Sequence, residues 1–288
     1  MSAVYKRELR AYMNNVYGWL FMAILLLAVG FMMFLDNLRS GYPYFEYALS
    51  DSQYALLLLI PILCMRSMAE DKRNKTDMFY LSLPMKTSSV VLGKYFAMLT
   101  IYAIPCAVLC LYPLVLSAFG TLNYATAYVS ILFYLLMGAA LIAVCQFLSS
   151  LTDNLVIAAV LGVLATALLL FSPLLASFLP VTALVSFVCF VVLALLLAGV
   201  AFLTTHNLNV TAITGAAAVV PLSVVYILAR DSFKGLFPAL VEFLSPFMHV
   251  STFCQYGTFS IQSVVLLLSY PVLFVFLTVQ SADKKRWD

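Results

Sequence analysis

The sequence predicts an all-α polytopic membrane protein with about eight transmembrane helices and both termini in the cytoplasm. Three observations carry this. Hydrophobic residues make up 65% of the chain and charged ones 9%, whereas a soluble domain is roughly 25% charged; the mean hydropathy is +1.06. Apolar runs close to the ~20 residues that cross a bilayer as a helix recur along the chain, and the period-two alternation of a membrane barrel is missing. With an even number of spans, twelve of the fifteen Lys and Arg residues fall on the side of the termini, and only Arg39, Arg230 and Lys234 fall on the other. Cytoplasmic loops carry such an excess.

The chain opens on an interfacial helix within residues 1–16. Over residues 4–16, Tyr5, Leu9, Tyr12, Met13 and Val16 line one helical face, and Lys6, Arg7, Arg10 and Asn14 the other. Such a helix rests on the inner membrane surface with its cations toward anionic headgroups. The opening "MSAVYKRELRAYMNN" is too polar for a cleavable signal peptide, so the first span directs insertion. The first two spans are expected at Tyr17–Leu35 and Tyr54–Met65, the second running a turn or two further. Between them, the outer loop Gly41–Leu49 holds the tyrosines of an interfacial belt.

A cytoplasmic segment, residues 66–88, comes next. Glu70, Asp71, Lys72, Arg73, Lys75 and Asp77 place six charges in eight residues, which cannot lie in hydrocarbon. Thr76 or Asp77 can N-cap a short helix, and Pro84 stops it. The helix between them has about two turns and carries Met78, Phe79, Tyr80, Leu81 and Leu83. It reads either as a loop helix floating on lipid or as a plug for a groove on a cytoplasmic partner, with charges at the rim.

Further spans are expected at Val90–Ser117, Ala127–Leu148 and Leu155–Ala176, the last two joined by "SSLTDN". The block Leu155–Ala229 crosses once or three times. "SPLLASFLP" (Ser172–Pro180) and "HNLN" (His206–Asn209) read as turns and favour three, adding Val181–Thr204 and Val210–Ala229. Residues 230–260 hold two short external amphipathic helices, broken at Ser245–Pro246, before the last span Ile261–Val279.

Several chemistries have no residues to support them. No ionisable side chain is expected near the centre of a span, where an ion-coupled transporter binds its coupling ion and a charge-selective channel lines its pore. No HExxH, nucleophile–base pair or phosphate loop occurs; "GKY" at Gly93–Tyr95 lacks the GxxxxGK[ST] frame. The six cysteines form no CxxC pair and read as small buried hydrophobes, and His206 and His249 are isolated. No catalytic, metal or cofactor site is expected in this chain. With no internal titratable group and one concentrated polar cytoplasmic segment, the chain is expected to draw its energy from another subunit. The competing readings are a self-contained secondary transporter or channel and a non-transporting scaffold.

"PILCMRSMAEDKRNKTDMFYLSLPMKTSSVVLGKY" (Pro61–Tyr95) resembles the second-span to third-span junction of ABC-2-type transporter permeases, in the branch similar to gliding-motility permeases. "YKREL" (Tyr5–Leu9), "FLSSLTDN" (Phe147–Asn154), "LSPFMHVSTFCQYGTFSIQSV" (Leu244–Val264) and "FLTVQSADKKRW" (Phe276–Trp287) are similar to further parts of that family. The usual family core has six spans, so Val181–Ala229 departs from it as an extra hairpin.

The resemblance implies a single permease domain over residues 1–288 of an ATP-driven exporter in a bacterial plasma membrane. Two cytoplasmic ATPase subunits would bind beneath a pair of permease units, holding the ATP and Mg. The second unit would be an identical copy, a different permease, or an auxiliary membrane subunit with an external domain. Nucleic acid is not an expected partner. The resemblance assigns ATPase coupling to Arg66, Glu70, Asp71, Lys72, Arg73, Thr76, Asp77, Met78, Phe79, Leu81 and Leu83. Tyr5, Lys6, Arg7, Leu9 and Arg10 belong to the interfacial connecting helix.

Overall fold

The computed structural model describes residues 1–41, 44–76, 86–118, 120, 122–205, 217, 219, 221–223, 226 and 230–287, without the side chains of 196–205 and 284–287. Every regular element among the described residues is helical. These are α1 (Ser2–Asn14), α2 (Val16–Met33, continued by a π-helical stretch Phe34–Arg39), α3 (Phe45–Cys64), α4 (Ala69–Arg73) and α5 (Thr87–Leu109). Then come α6 (Tyr112–Leu116), α7 (Tyr124–Leu151), α8 (Leu155–Ser177) and α9 (Ala183–Thr205), a 3₁₀ turn Arg230–Phe233, α10 (Leu236–Phe243), α11 (Pro246–Tyr256) and α12 (Ile261–Trp287). Six of the described helices are long and apolar enough to cross a membrane. Over the expected span Val181–Thr204 the chain forms the helix α9, which is not one of these six, and most of Val210–Ala229 lies outside the described residues.

The chain divides into two compact units. The larger, Met1–Leu170 with Pro246–Asp288, is built around α7. That helix carries a run of small residues, Gly138, Ala139, Ala140 and Ala143, which lets neighbours approach its backbone. A Cβ on Gly138 would lie 2.1 Å from the Tyr102 ring. Tyr102 Oη then donates to the Tyr134 carbonyl at 2.8 Å, and Tyr95 Oη to that of Ala139 at 3.2 Å. Gln146 Nε2 donates to the Val91 carbonyl at 3.1 Å, pinning the far end of α7 to α5.

Aromatic contacts set α12 beside α7 in the same direction. Phe259 meets Phe133 near the α7 start, at 5.9 Å between ring centres, and Phe274 meets Phe147 near its end, also at 5.9 Å. The C-terminal end of α12 therefore arrives at the same end of the bundle as the α7–α8 turn. The outward faces of α2, α8 and α12 expose apolar side chains such as Leu27, Val156 and Val272, as lipid-facing helices do.

Several boundaries differ from the sequence expectation: Val90–Ser117 is divided between α5 and α6, and α12 runs on past Val279 to Trp287. The second span begins at Phe45 rather than Tyr54, because the polar stretch before it is helical and turned inward: Glu46, Ser50, Ser52 and Gln53 are all buried. Glu46 thus sits inside a span-length helix rather than in an outer loop. The first helix ends at Asn14, not Val16. Asn15 is extended (φ −103°, ψ 147°), so Val16 starts α2 and is exposed instead of completing the apolar face of α1.

The smaller unit, Phe171–Ser245, gathers the end of α8 with α9, the 3₁₀ turn and α10. Phe190 meets Phe233 and Phe237 edge-on, and Phe187 stacks on Tyr226 at 4.5 Å. Gly235 takes φ +71° at the N-terminus of α10, a left-handed conformation that favours glycine. The expected break at Ser245 is present, and α11 starts on Pro246 at its first position, where the missing N–H costs no helical bond.

Candidate functional site

Polar side chains converge at one end of the larger unit, where α1, the end of α3, α4, the start of α5 and the α7–α8 turn meet. The need begins with α3. The last carbonyls of α3 and those of the turn after it are short of N–H partners one turn further on, and side chains from other helices serve them. Tyr12 Oη donates to the Leu63 carbonyl at 3.3 Å, Ser149 Oγ to that of Met65 at 3.4 Å, and Lys94 Nζ to that of Ser67. A cation at a helix C-terminus is also favoured by the helix dipole. Burial pushes the Tyr12 phenol pKa well above its usual 10.0, with Cys64, Glu8 and Glu70 adding to it, so it remains a donor at physiological pH.

Ser149 starts α4 as well. Its hydroxyl accepts from the Met68 and Ala69 N–H groups at 3.3 and 3.1 Å, a capping role supplied here from α7. Glu70 and Asp71 occupy the first turn and Lys72 and Arg73 the last, the order the dipole prefers. The helix ends through Lys75 at φ +56°. Thr76 N–H donates to the Asp71 carbonyl at 2.9 Å and Lys75 N–H to that of Lys72 at 3.1 Å, the paired bonds of a Schellman cap.

Ion pairs brace this short element from three sides. Lys94, only 3% exposed, lies 2.5 Å from Asp71 Oδ2 and 3.8 Å from Glu8 Oε1. A buried ammonium persists only with partners of this kind. Lys72 Nζ lies 3.9 Å from Asp153 Oδ1 and donates to the Ser150 carbonyl at the end of α7. Arg66 approaches Glu70 at 4.0 Å and stacks its guanidinium 3.7 Å from the centre of the Tyr17 ring. A cavity of about 350 Å³ remains between α1 and α4, bordered by Glu8, Tyr12, Arg66, Asp71 and Lys94.

The α1 helix completes the brace. Val4 is buried against Gly93 of α5, where an added Cβ would lie 3.1 Å from the valine side chain. Tyr5 Oη and Thr100 Oγ1 share a hydrogen bond of 3.0 Å. Leu9 packs on the core, Lys6 and Arg10 are exposed, and the exposed Arg7 pairs its guanidinium with Glu8 at the edge of that cavity.

Of the residues singled out from sequence, Arg66, Glu70, Asp71, Lys72 and Thr76 come together here. Arg73 is exposed, on the outer side of α4. Asp77, Met78, Phe79, Leu81 and Leu83 lie outside the described residues. Asp71 and Lys72, expected on a charged rim, point into the protein and pair within the chain. The Thr76 hydroxyl turns back to Asp71 Oδ1 at 3.0 Å and so closes α4. Sequence reasoning passed over Lys94, Glu8, Ser149 and Asp153. Lys94 had a signal, as the one charge within the otherwise apolar Thr87–Leu109; so did Glu8, the single acid among the cations of α1.

Comparison with known proteins gives the frame for this geometry. The model of a family described as "ABC-2 family transporter protein" matches residues 5–208, which include most of α1, all of α4, Lys94 and Asp153. No curated protein matches the sequence. Since the family model spans well over half of the chain, the protein belongs to the ABC-2 transporter family and is a membrane permease of an ABC system.

Proposed function

We propose that the chain is the permease subunit of an ATP-driven exporter, receiving force from a separate cytoplasmic ATPase through residues 66–88. One observation carries the reading: α4 is tied by ion pairs to α1 and α5 through Lys94 and to the α7–α8 turn through Lys72. A displacement of α4 is thereby delivered to three helices at once. On this reading Glu70 and Arg73 face the partner, Asp71 and Lys72 transmit, and the apolar residues Met78 to Leu83 seat in the ATPase cleft. ATP and Mg belong to that partner.

The permease works beside a second membrane unit, in a bacterial plasma membrane with the braced end in the cytoplasm. The excess of Lys and Arg at that end supports the orientation. The likeness of Pro61–Tyr95 to gliding-motility permeases belongs to the same reading. Capture of the tagged chain in mild detergent tests it. An ATPase subunit is expected in the complex, and its hydrolysis should lose coupling on charge reversal at Glu70 or Arg73. A chain that moves a solute alone down an ion gradient in liposomes would instead be a secondary transporter.

A further inference from the structure

The end of the bundle away from the brace holds a second polar site, between the end of α2 and the start of α3. Asp36, Ser40, Tyr44, Tyr47 and Asp51 line an open cavity of about 430 Å³ there. No Lys or Arg is among the described residues that line it. The Asp36 and Asp51 carboxylates stand close enough for their charges to act on one another. Oδ2 of Asp36 is buried and meets no hydrogen-bond donor among the described residues. Glu46, only 6% exposed, shares the first turn of α3 with Tyr47, and its Oε2 likewise meets none. Buried carboxylate oxygens without donors are costly, and a cation supplied from outside the chain removes that cost.

The aromatic residues decide which kind of cation fits. Tyr44 and Tyr47 set their rings 6.0 Å apart at 78° to each other, as two walls of a corner. A ring face attracts a cation that lies within about 6 Å of its centre. The corner is held from behind: Asn37, itself buried, donates from Nδ2 to the Tyr44 carbonyl at 2.8 Å. Ser40 Oγ donates to the Leu35 carbonyl at 3.0 Å, which leaves it an acceptor for a guest. The cavity far exceeds the ~30 Å³ share of one water and falls within the roughly 300–1,000 Å³ of small-molecule pockets. A calcium ion takes about six to eight oxygens, more than two carboxylates and a hydroxyl provide.

We propose that this cavity binds the ammonium group of an organic cation, seated between the carboxylates of Asp36 and Asp51 and against the Tyr44 and Tyr47 rings. The Lys and Arg bias puts the site on the outer side of the membrane. Binding here does not depend on the coupling role proposed for α4.

The test uses the full chain in detergent and isothermal titration calorimetry. The probes are choline, its uncharged carbon isostere dimethylbutanol, and calcium chloride. Choline should bind saturably and the other two should not. Asp36→Asn with Asp51→Asn should weaken choline binding roughly tenfold or more, and Tyr47→Leu roughly three- to tenfold. Glu242→Gln, on α10, should leave it unchanged. Melting temperature confirms that each variant is folded. Asp51 and Tyr47 are exposed, so Asp51→Asn and Tyr47→Leu give the reading by themselves if the double variant does not fold. No saturable heat with choline, an equal response to dimethylbutanol, or undiminished binding by the variants would overturn the site. Calcium binding in place of choline would make it a metal site and overturn the ammonium assignment. No ATPase is present, so each of these outcomes leaves the coupling reading standing.

Discussion

The ammonium of Lys94 lies 2.5 Å from Oδ2 of Asp71 and joins the start of α5 to α4 inside the protein. Glu8 of α1 closes on the same ammonium from 3.8 Å. Removing the cation takes the ion-pair partner from Asp71, while Glu8 keeps the Arg7 guanidinium beside it. Lys94→Met should cost about 3–5 kcal/mol, the usual penalty for breaking a buried ion pair. Adding Asp71→Asn and Glu8→Gln to it should restore more than half of the loss, because the Asp71 carboxylate no longer stands without its cation. Thermal unfolding of the three proteins in one detergent decides this. Equal stability of the single and triple variants would show that the lysine acts by packing alone.

Gly93 sets how closely α1 lies on α5. A Cβ there would stand 3.1 Å from both Cβ and Cγ1 of Val4 and 3.3 Å from the Tyr5 nitrogen, backbone that cannot swing aside. Gly93→Val should lift α1 and break the Glu8–Lys94 contact. Trypsin cleavage after Lys6, Arg7 and Arg10 is then expected to quicken at least fivefold, while far-UV circular dichroism stays near wild type. Unchanged cleavage would mean that α1 is held by other contacts.

Lys75 caps α4 in the left-handed region at φ +56°, where a side chain is strained and glycine is not. Lys75→Gly should stabilise by about 0.5–1 kcal/mol and Lys75→Val should destabilise by at least as much. Both shifts are read as changes in melting temperature. A destabilised glycine variant would show that the Lys75 side chain has a role of its own.

At the bundle centre, Gly138 faces the Tyr102 ring, with Cε1 and Cζ 2.1 and 2.2 Å from where a Cβ would stand. Gly138→Ala should cost about 1–3 kcal/mol by overpacking. Tyr102→Phe should not rescue it, since the ring atoms clash; Tyr102→Leu should. Rescue by phenylalanine would locate the conflict at the hydroxyl instead.

Much of this was legible in the sequence, for reasons that differ by element. Helix-length apolar runs write spans openly, so α2, α5, α7, α8 and α12 stand where periodicity and length put them. The start of α3 was hidden because Glu46, Ser50 and Gln53 are polar but buried, and hydropathy alone reads them as loop. The site was half visible. The density of charge in Glu70–Asp77 marked the segment, but charge density does not say which side chains face inward. That depends on Lys94 and Asp153, brought beside α4 by the packing of α5 and α7, and no local pattern announces it. The same holds for Ser149, whose hydroxyl caps a helix far away in sequence.

The most direct measurement is capture of the tagged chain in mild detergent, wild type beside Met78→Asp and Leu81→Asp. A cytoplasmic ATPase should be retained by the wild type. Each variant should lose it with the permease melting temperature unchanged, because an ionised carboxylate in an apolar cleft costs several kcal/mol while the braced cluster is untouched. Retention of the ATPase by both variants at the wild-type level, or a wild-type complex without any ATPase, would contradict the account.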